Sequence, residues 1–550
     1  MTLFLTFILS MMVTLVLIPP LMKSAGRLQF LDTPDERKIH AGEIPRVGGI
    51  AMSIGVILPV FVLLAGQSDA VYLYIGIMVL LLFGIMDDRF QLDFKIKFLG
   101  QIAAVLVVVL SGGVLISKMP LWIDGMMPLY VAIPFTVFAL LGVTNATNLS
   151  DGLDGLAGGM SLMSFAGTAL IAYSMDNMVV LTLSVAVMGS ILGFLRFNTF
   201  PARVFMGDTG SQFLGFTLGI AVILVTQQEG AIINTAIPLF LLGLPILDTI
   251  TVMVNRISRG RSPFSPDRNH IHHRLLAIGF HHHEAVMMIY AVQAAMVVAG
   301  YLLRFEPNTL VLSFYAITCI VILGLLHLAR VLEWRVHKQA SPEASRPAKY
   351  RFAWMENRDR MLCLMSHGTA VILGLFFIVA AGTARDLPVD TVALVIGMLV
   401  LFFVLFLFRA KKSVTWPERI VIYTLGTMVI YIMNSHSGLP QEILDYQDFV
   451  YILLVVAVII GFRYSRIQEF GATPLDFLMI FVAVVAAILP ELQIIDQEFG
   501  LGVTRLIILF YAMEFVLVHI SGRLDIIRYC IFAMLAILGL NGILNFGFAI

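Results

Sequence analysis

Residues 145–159 read NATNLSDGLDGLAGG, and they close an apolar run that begins near Val131. Asn145, Asn148, Asp151 and Asp154 recur at every third position, so a helical or near-helical backbone sets two amides and two carboxylates on one side. Gly152, Gly155, Gly158 and Gly159 interrupt or follow them. Glycine weakens a helix and lets backbone approach a ligand, which a segment chosen only to cross a membrane does not need. The combination reads as a site at a membrane surface.

The rest of the chain fits that setting. Of its 550 residues 59% are hydrophobic and 13% charged, against roughly 25% charged in soluble domains. Apolar runs of about 17 to 25 residues, separated by short polar stretches, match the length needed to cross a bilayer core. They predict an all-α polytopic integral membrane protein with about eighteen transmembrane helices. Eleven spans are expected between residues 3 and 328, including one at 231–253, and seven between 361 and 546, including 389–408 and 474–489. With the N-terminus outside and each span reversing direction, 31 of the 35 Lys and Arg residues fall in inside loops, as the positive-inside rule requires. The first apolar run lacks a basic start and a small-residue cleavage site, so it is expected to remain as a helix.

Lys plus Arg and Asp plus Glu balance at 35 each, which argues against nucleic acid as a partner. Cys319, Cys363 and Cys530 lie in or beside apolar runs and suit neither a disulfide framework nor a thiolate metal site.

The remaining motifs also lie in inside loops. LDTPDERKIHAGEIPRVGG, residues 31–49, carries Arg37, Lys38 and Arg46; it is read either as a lipid-facing anchor or as a phosphate-binding loop. Asp87 and Asp88 end an apolar span, where adjacent carboxylates are costly unless a cation or protons neutralise them. Lys95, Lys97 and Gln101 follow on a helix that re-enters the bilayer and are candidates to hold phosphate. In MGDTGS, residues 206–211, Asp208 opens a new helix and would either cap it or act chemically. Asp87, Asp88, Asp151, Asp154 and Asp208 together form a hard oxygen set suited to magnesium shared with substrate phosphates. Asp248 could orient a neighbouring basic residue or cap a helix. Arg268, His270, His272 and His273 fit an anionic pyrophosphate better than zinc, because arginines among the ligands oppose a cation. His281–His283 read as a solvated or interfacial patch.

The ordered set ERKIHAGEIPRVGG, MDDRFQLDFKIKF, NATNLSDGLDGLAGG, VFMGDTGSQFLG and SPFSPDRNHIHHRLL resembles the polyprenyl-phosphate N-acetylhexosamine-1-phosphate transferase family over roughly residues 1–330. Its His-x-His-His box is similar to the N-acetylglucosamine branch. The resemblance implies transfer of N-acetylhexosamine 1-phosphate from a UDP-sugar to undecaprenyl phosphate, with release of UMP, at the start of a lipid-linked cell-envelope glycan. It implies the bacterial inner membrane, an active site on its cytoplasmic face, and magnesium as cofactor with manganese as a substitute. It places Asp208 as the metal-ligating aspartate and Asp87 and Asp88 as the acidic pair near metal and lipid phosphate. Asp151 and Asp154 would line the nucleotide pocket with Asn148, and Arg268, His270, His272 and His273 would hold the donor's diphosphate and sugar. Lys95, Arg37, Lys38 and Arg46 are further candidates for substrate contact. A homo-oligomer is compatible with this reading.

Both reactants are anionic, and the lipid phosphate is already largely ionised near neutral pH, so direct in-line attack needs no strong base. A covalent phosphoryl-aspartate is the mechanistic alternative. A lipid-linked sugar carrier or flippase is the functional one, disfavoured because the motifs cluster on one face and not near the bilayer midplane. Residues 1–330 are therefore expected to form the transferase domain, 331–360 a basic cytoplasmic linker, and 361–550 a membrane region of unassigned role containing Glu514 and His519.

Overall fold

The computed structural model of the chain describes residues 2–32, 43–64, 70–120, 125–228, 233–262, 269–336, 358–384, 392, 395–400, 403, 416–435, 441–464, 478, 497–519 and 525–547. Among them ten helices are long and apolar enough to cross a membrane, and four shorter apolar stretches accompany them. More than half of the expected span at 389–408, and all of that at 474–489 except Leu478, lie outside the described residues. The chain divides into two compact units, residues 1–342 with 473–478, and residues 343–472 with 479–550.

The first unit is a helical bundle: α1 (Thr2–Leu28), α2 (Gly48–Leu64), α3 (Ala70–Phe90), α4 (Phe94–Leu106), α5 (Leu129–Leu149), α6 (Leu156–Ser174), α7 (Met178–Asn198) and α8 (Gly207–Thr226). After them come α9 (Pro238–Leu241), α10 (Gly243–Ser258), α11 (Ile271–Ile278), α12 (His282–Leu302) and α13 (Asn308–Val331). The centre is α8, which packs on α2, α3, α5 and α6. Its most apolar stretch is 94% buried, whereas that of α13 is 6% buried. A helix apolar all round belongs inside a bundle, which is where α8 carries its first-turn acid.

Close backbone approach fixes the end of α8. A Cβ on Gly49 would lie 2.2 Å from the backbone nitrogen of Gly210, so α2 and α8 cross at glycine on both sides. A two-stranded antiparallel ribbon, β1 (Leu31–Asp32) and β2 (Ile44–Pro45), precedes α2. Its second strand holds the segment before α8: Phe205 N donates to Pro45 O at 2.8 Å, and Gly48 N to Phe205 O at 2.9 Å.

The expected span at 231–253 is corrected by the structure. The chain forms the single turn α9, breaks at Leu242, and resumes as α10. Pro238 starts one piece, and Pro245 lies in the first turn of the other, where a missing N–H costs nothing. Helix α10 is two-sided: Asp248, Val252 and Arg256 are buried, while Ile250, Val254 and Ile257 are exposed.

The second unit contains α14 (Arg358–Thr383), α15 (Trp416–Ser435), α16 (Gln441–Tyr464), α17 (Gln497–His519) and α18 (Asp525–Gly547). Helix α14 packs on α18, and α17 on both α15 and α16. Among its described residues the Tyr423 hydroxyl donates to Glu514, and Arg505 Nη2 to Asp448 Oδ1 at 2.8 Å. His519 Nδ1 lies 2.9 Å from Phe515 O in its own helix.

Candidate active site

Four helix ends meet in the first unit: the C-terminal ends of α3 and α5 and the N-terminal ends of α4 and α8. Asp87 and Asp88 lie at the end of α3, Lys97 in the first turns of α4, Asn145 and Asn148 in the last turns of α5, and Asp208 in the first turn of α8. An acid at that end of α8 is favoured by the helix dipole.

Lys97 sits between two of the acids. Its ammonium donates to Asp208 Oδ1 at 2.7 Å and lies 3.0 Å from Asp87 Oδ2. The second contact is an ion pair without hydrogen-bond geometry, so Asp87 Oδ2 is buried with no hydrogen-bond partner among the described residues. Asp87 Oδ1 accepts from Leu92 N at 3.0 Å. Asn148 Nδ2 also donates to Asp208 Oδ1, at 2.9 Å, and is itself held by the Ser211 hydroxyl, which donates to Asn148 Oδ1 at 2.8 Å. One turn deeper, Gln101 Nε2 donates to Gln212 Oε1 at 3.0 Å, and Asn145 Nδ2 to Gln101 Oε1 at 2.8 Å. This buried amide relay ties α4, α5 and α8 together beneath the acids.

Asp88 has a different placement from its neighbour. Its Oδ1 accepts from Asp208 N at 2.8 Å, and its Oδ2 from both Thr209 N at 2.9 Å and the Thr209 hydroxyl. Both oxygens are thus spent on the start of α8, satisfying N–H groups that no helix bond can reach. Gly207 makes the turn possible, with φ +67° and no space for a Cβ beside the Asp88 carboxylate. Asp88 fixes the backbone that carries Asp208.

The segment between α5 and α6 adds two carboxylates. Gly155 is in the left-handed region at φ +81°; its N–H donates to Asn198 Oδ1 at 2.9 Å, and its carbonyl accepts from the Tyr290 hydroxyl at 2.6 Å. Asp154 Oδ2 accepts from Ala202 N at 2.9 Å. Asp151, outside the spans, has its pKa pushed up to about 7, first by burial and then by the charges of Asp208, Asp154 and Asp88. A Cβ on Gly152 would lie 2.3 Å from His272 Nε2, so only glycine lets this turn touch the histidine box.

In that box His270 Nδ1 lies 2.8 Å from Asp248 Oδ2, and Asp248 Oδ1 accepts from Ile271 N at 2.8 Å. The carboxylate accepts a hydrogen bond from Nδ1–H and so fixes the orientation of the ring. His272 stands 4.2 Å from His273 and 5.7 Å from His270 between ring centroids. Burial first, then the neighbouring His273, holds its pKa down at about 3.

Of the residues expected from sequence, Asp87, Asp88, Asn148, Asp151, Asp154, Asp208, His270, His272 and His273 are described; the acids and Asn148 gather at one end of the bundle, with His272 against Gly152. Arg37, Lys38 and Arg268 lie outside the described residues. Arg46 pairs with Asp32 across the ribbon. Lys95 is exposed, its ammonium 5.9 Å from the Phe94 ring centroid; the lysine that meets the acids is Lys97. Thr209 and Ser211, part of the MGDTGS motif but given no role from sequence, and Gln212 join the site; each lies within four residues of Asp208, and only Gln212 is an unusual type for an apolar helix.

Residues 70–226 match the model of glycosyl transferase family 4. A probable undecaprenyl-phosphate N-acetylglucosaminyl 1-phosphate transferase of Bacillus subtilis is 35% identical over 320 residues, covering 58% of this chain and 88% of that protein. The chain belongs to this family. Undecaprenyl-phosphate alpha-N-acetylglucosaminyl 1-phosphate transferases of Yersinia pestis and Escherichia coli K12 are each 32% identical, over 305 and 293 residues, covering 83% and 79% of those proteins and 53% and 52% of this one. The protein is accordingly a multi-pass membrane enzyme, a glycosyl-1-phosphate transferase, and it carries a further helical region that those matches leave uncovered.

Proposed function

We propose that the protein transfers N-acetylglucosamine 1-phosphate from UDP-N-acetylglucosamine to undecaprenyl phosphate, releasing UMP, at the cytoplasmic face of a bacterial inner membrane. The observation that carries the reading is the convergence of Asp87 and Asp208 on one cation position, occupied by the Lys97 ammonium, beside Asn148. A soluble anionic donor and a lipid phosphate can meet only where a bundle end faces both water and bilayer, and positive charge must be concentrated there.

The donor set fits magnesium. Asp87 Oδ2 is buried and without a hydrogen bond, Asp208 keeps 30% of its side chain exposed, and no cluster of three or more metal-binding side chains occurs among the described residues. Magnesium commonly takes one or two carboxylates and completes its shell with water and substrate phosphate. Asp208 and Asp87 would hold it, and when bound it would draw charge off the transferring and leaving phosphates.

The side chains divide the remaining work. Asp88 and Thr209 fix the first turn of α8, so Asp208 is held without having to rearrange. Asn148 orients the Asp208 carboxylate through Oδ1. Asp87, the one of the adjacent pair with an oxygen to spare, lies closest in role to the attacking lipid phosphate, positioning it for in-line displacement or accepting its last proton. His270, its ring oriented by Asp248 through Nδ1, and the buried neutral His272 present imidazole to the donor's diphosphate. Asp151 and Asp154, on the turn that touches His272, face the nucleotide. Grouping these side chains at helix ends favours chemistry over carriage, which would need them near mid-bilayer.

The test uses the purified full chain with undecaprenyl phosphate and UDP-sugar labelled in the hexosamine. Label passing into the organic phase with N-acetylglucosamine, and less with other N-acetylhexosamines, is the expected result. Label that stays aqueous with every donor would remove the proposal.

A further inference from the structure

Lys97 occupies an awkward position for a structural lysine. It lies at the N-terminal end of α4, where a helix repels positive charge, and its side chain is only 22% exposed. What holds it there is the pair of carboxylates, Asp208 Oδ1 at 2.7 Å and Asp87 Oδ2 at 3.0 Å. Asp88 offers it nothing, because both Asp88 oxygens are engaged by Asp208 N and Thr209. The ammonium therefore stands where the two acids would share a divalent cation. The same helix presents Phe94, Ile96, Phe98 and Leu99 outward, with exposures of 72, 45, 44 and 61%. Lys97 is thus the inward-facing lysine of a helix whose other side, with Lys95, is exposed, and an ammonium on a four-carbon stem can swing between acceptors.

We propose that Lys97 is an exchangeable counter-cation: it neutralises Asp87 and Asp208 until a divalent metal displaces it, and it then moves to the phosphate of the lipid acceptor. This rests on the metal-assisted transferase reading. Two like charges held together in a partly buried site repel unless a cation or a proton offsets one of them, and the lysine, in contact with both acids, supplies that cation when metal is absent. Metal binding then carries the cost of breaking the lysine's ion pairs. A phosphate that accepts the freed ammonium lowers that cost, so metal and lipid phosphate bind with positive coupling, each raising the other's affinity by the same factor. The enzyme would assemble its metal site most readily when the acceptor is present.

The test measures manganese affinity by electron paramagnetic resonance in detergent, with and without dodecyl phosphate, and without any turnover. For the full-length protein, dodecyl phosphate should tighten manganese binding about tenfold, the size of an ordinary coupling energy. Lys97→Met should bind manganese about tenfold more tightly than the parent in the absence of dodecyl phosphate, and dodecyl phosphate should then change its affinity less than twofold. Lys97→Arg, which keeps the charge, should bind manganese like the parent in the absence of phosphate. If Lys97→Met binds manganese equally or less tightly, or keeps the full response to dodecyl phosphate, the proposal is wrong. Should Lys97→Met unfold in chelator, recovery of its monodisperse elution on adding manganese supports the counter-cation role; no recovery, with Lys97→Gln behaving alike, overturns it. Parallel UMP release by the parent separates the two levels: an active, manganese-binding parent with unaltered Lys97→Met affinity refutes only this inference, whereas a parent that neither binds manganese nor releases UMP refutes the transferase reading.

Discussion

Replacing Asp88 by asparagine should damage the enzyme through the backbone of α8, not through lost chemistry. Asp88 is 5% exposed and its two oxygens receive three donors, Asp208 N, Thr209 N and the Thr209 hydroxyl. An amide keeps one oxygen and turns an N–H2 toward donors that have no other acceptor. The threonine hydroxyl can rotate, but a backbone N–H cannot. A hydrogen bond to a charged group contributes about 1.5–3 kcal/mol, and a buried donor left unmatched costs about as much as it gained. We therefore expect Asp88→Asn to lose about 2–4 kcal/mol. For a unit the size of residues 1–342 that is a fall of about 3–6 °C in the thermal midpoint in detergent. Because Asp208 N is one of the released donors, its carboxylate shifts, and a displacement near 1 Å lowers kcat about a hundredfold. Asp87→Asn is the control: its carbonyl can still accept from Leu92 N, so activity should vanish while the midpoint stays within about 2 °C. Thermal scans beside UMP release decide the matter. An Asp88→Asn protein with an unchanged midpoint and no activity would refute this account and make Asp88 a group that touches substrate.

Other expectations follow from single contacts. Gly210→Ala would place a Cβ 2.8 Å from Gly49 Cα and 2.7 Å from Met206 Cβ; with backbone unable to yield, it should lose about 1–3 kcal/mol or more in chemical denaturation. Asp248→Asn should release His270 and lower kcat/KM for the UDP-sugar about ten- to a hundredfold, with the thermal midpoint little changed. Asp151 binds its proton more tightly folded than unfolded, its pKa standing at about 7 against 3.8. Its stabilising contribution is therefore complete below pH 4 and is lost as pH rises through about 7. Stability measured from pH 4 to 8 should flatten in Asp151→Asn. His272 has the opposite sign, at about 3 against 6.5: the unfolded chain takes up a proton that the folded one refuses, so stability falls as pH drops below 6.5, and His272→Gln should remove that slope.

Much of this arrangement was legible in the chain alone, because bilayer physics writes itself into sequence. A helix must satisfy its own backbone in lipid, so apolar runs mark helices, and a carboxylate at the end of one must answer to something. That logic located α3, α5, α6, α7 and α8 closely and singled out Asp87, Asp88 and Asp208. It failed at 231–253, where hydropathy sees one apolar run and not the break at Leu242. It also treated Asp87 and Asp88 alike: adjacent side chains on a helix point about 100° apart, so one meets Lys97 and the other the start of α8. Sequence reading put Lys95 forward for substrate contact, and only the packing of α4 on α3 shows that Lys97 is the lysine facing the acids. Asn145 and Gln101 read as members of two separate candidate sites, and Gln212 as a lone polar residue in an apolar stretch. Their mutual hydrogen bonds exist only across three helices.

The central claim, that this bundle end transfers a sugar phosphate with Asp208 at its heart, is tested most directly by counting products. The full chain, UDP-N-acetylglucosamine, undecaprenyl phosphate and magnesium should yield UMP and labelled lipid in equal amounts, with no release after chelation, recovery on adding magnesium, and none from a folded Asp208→Ala variant. UMP formed without lipid product, or an Asp208→Ala protein that turns over like the parent, would contradict it.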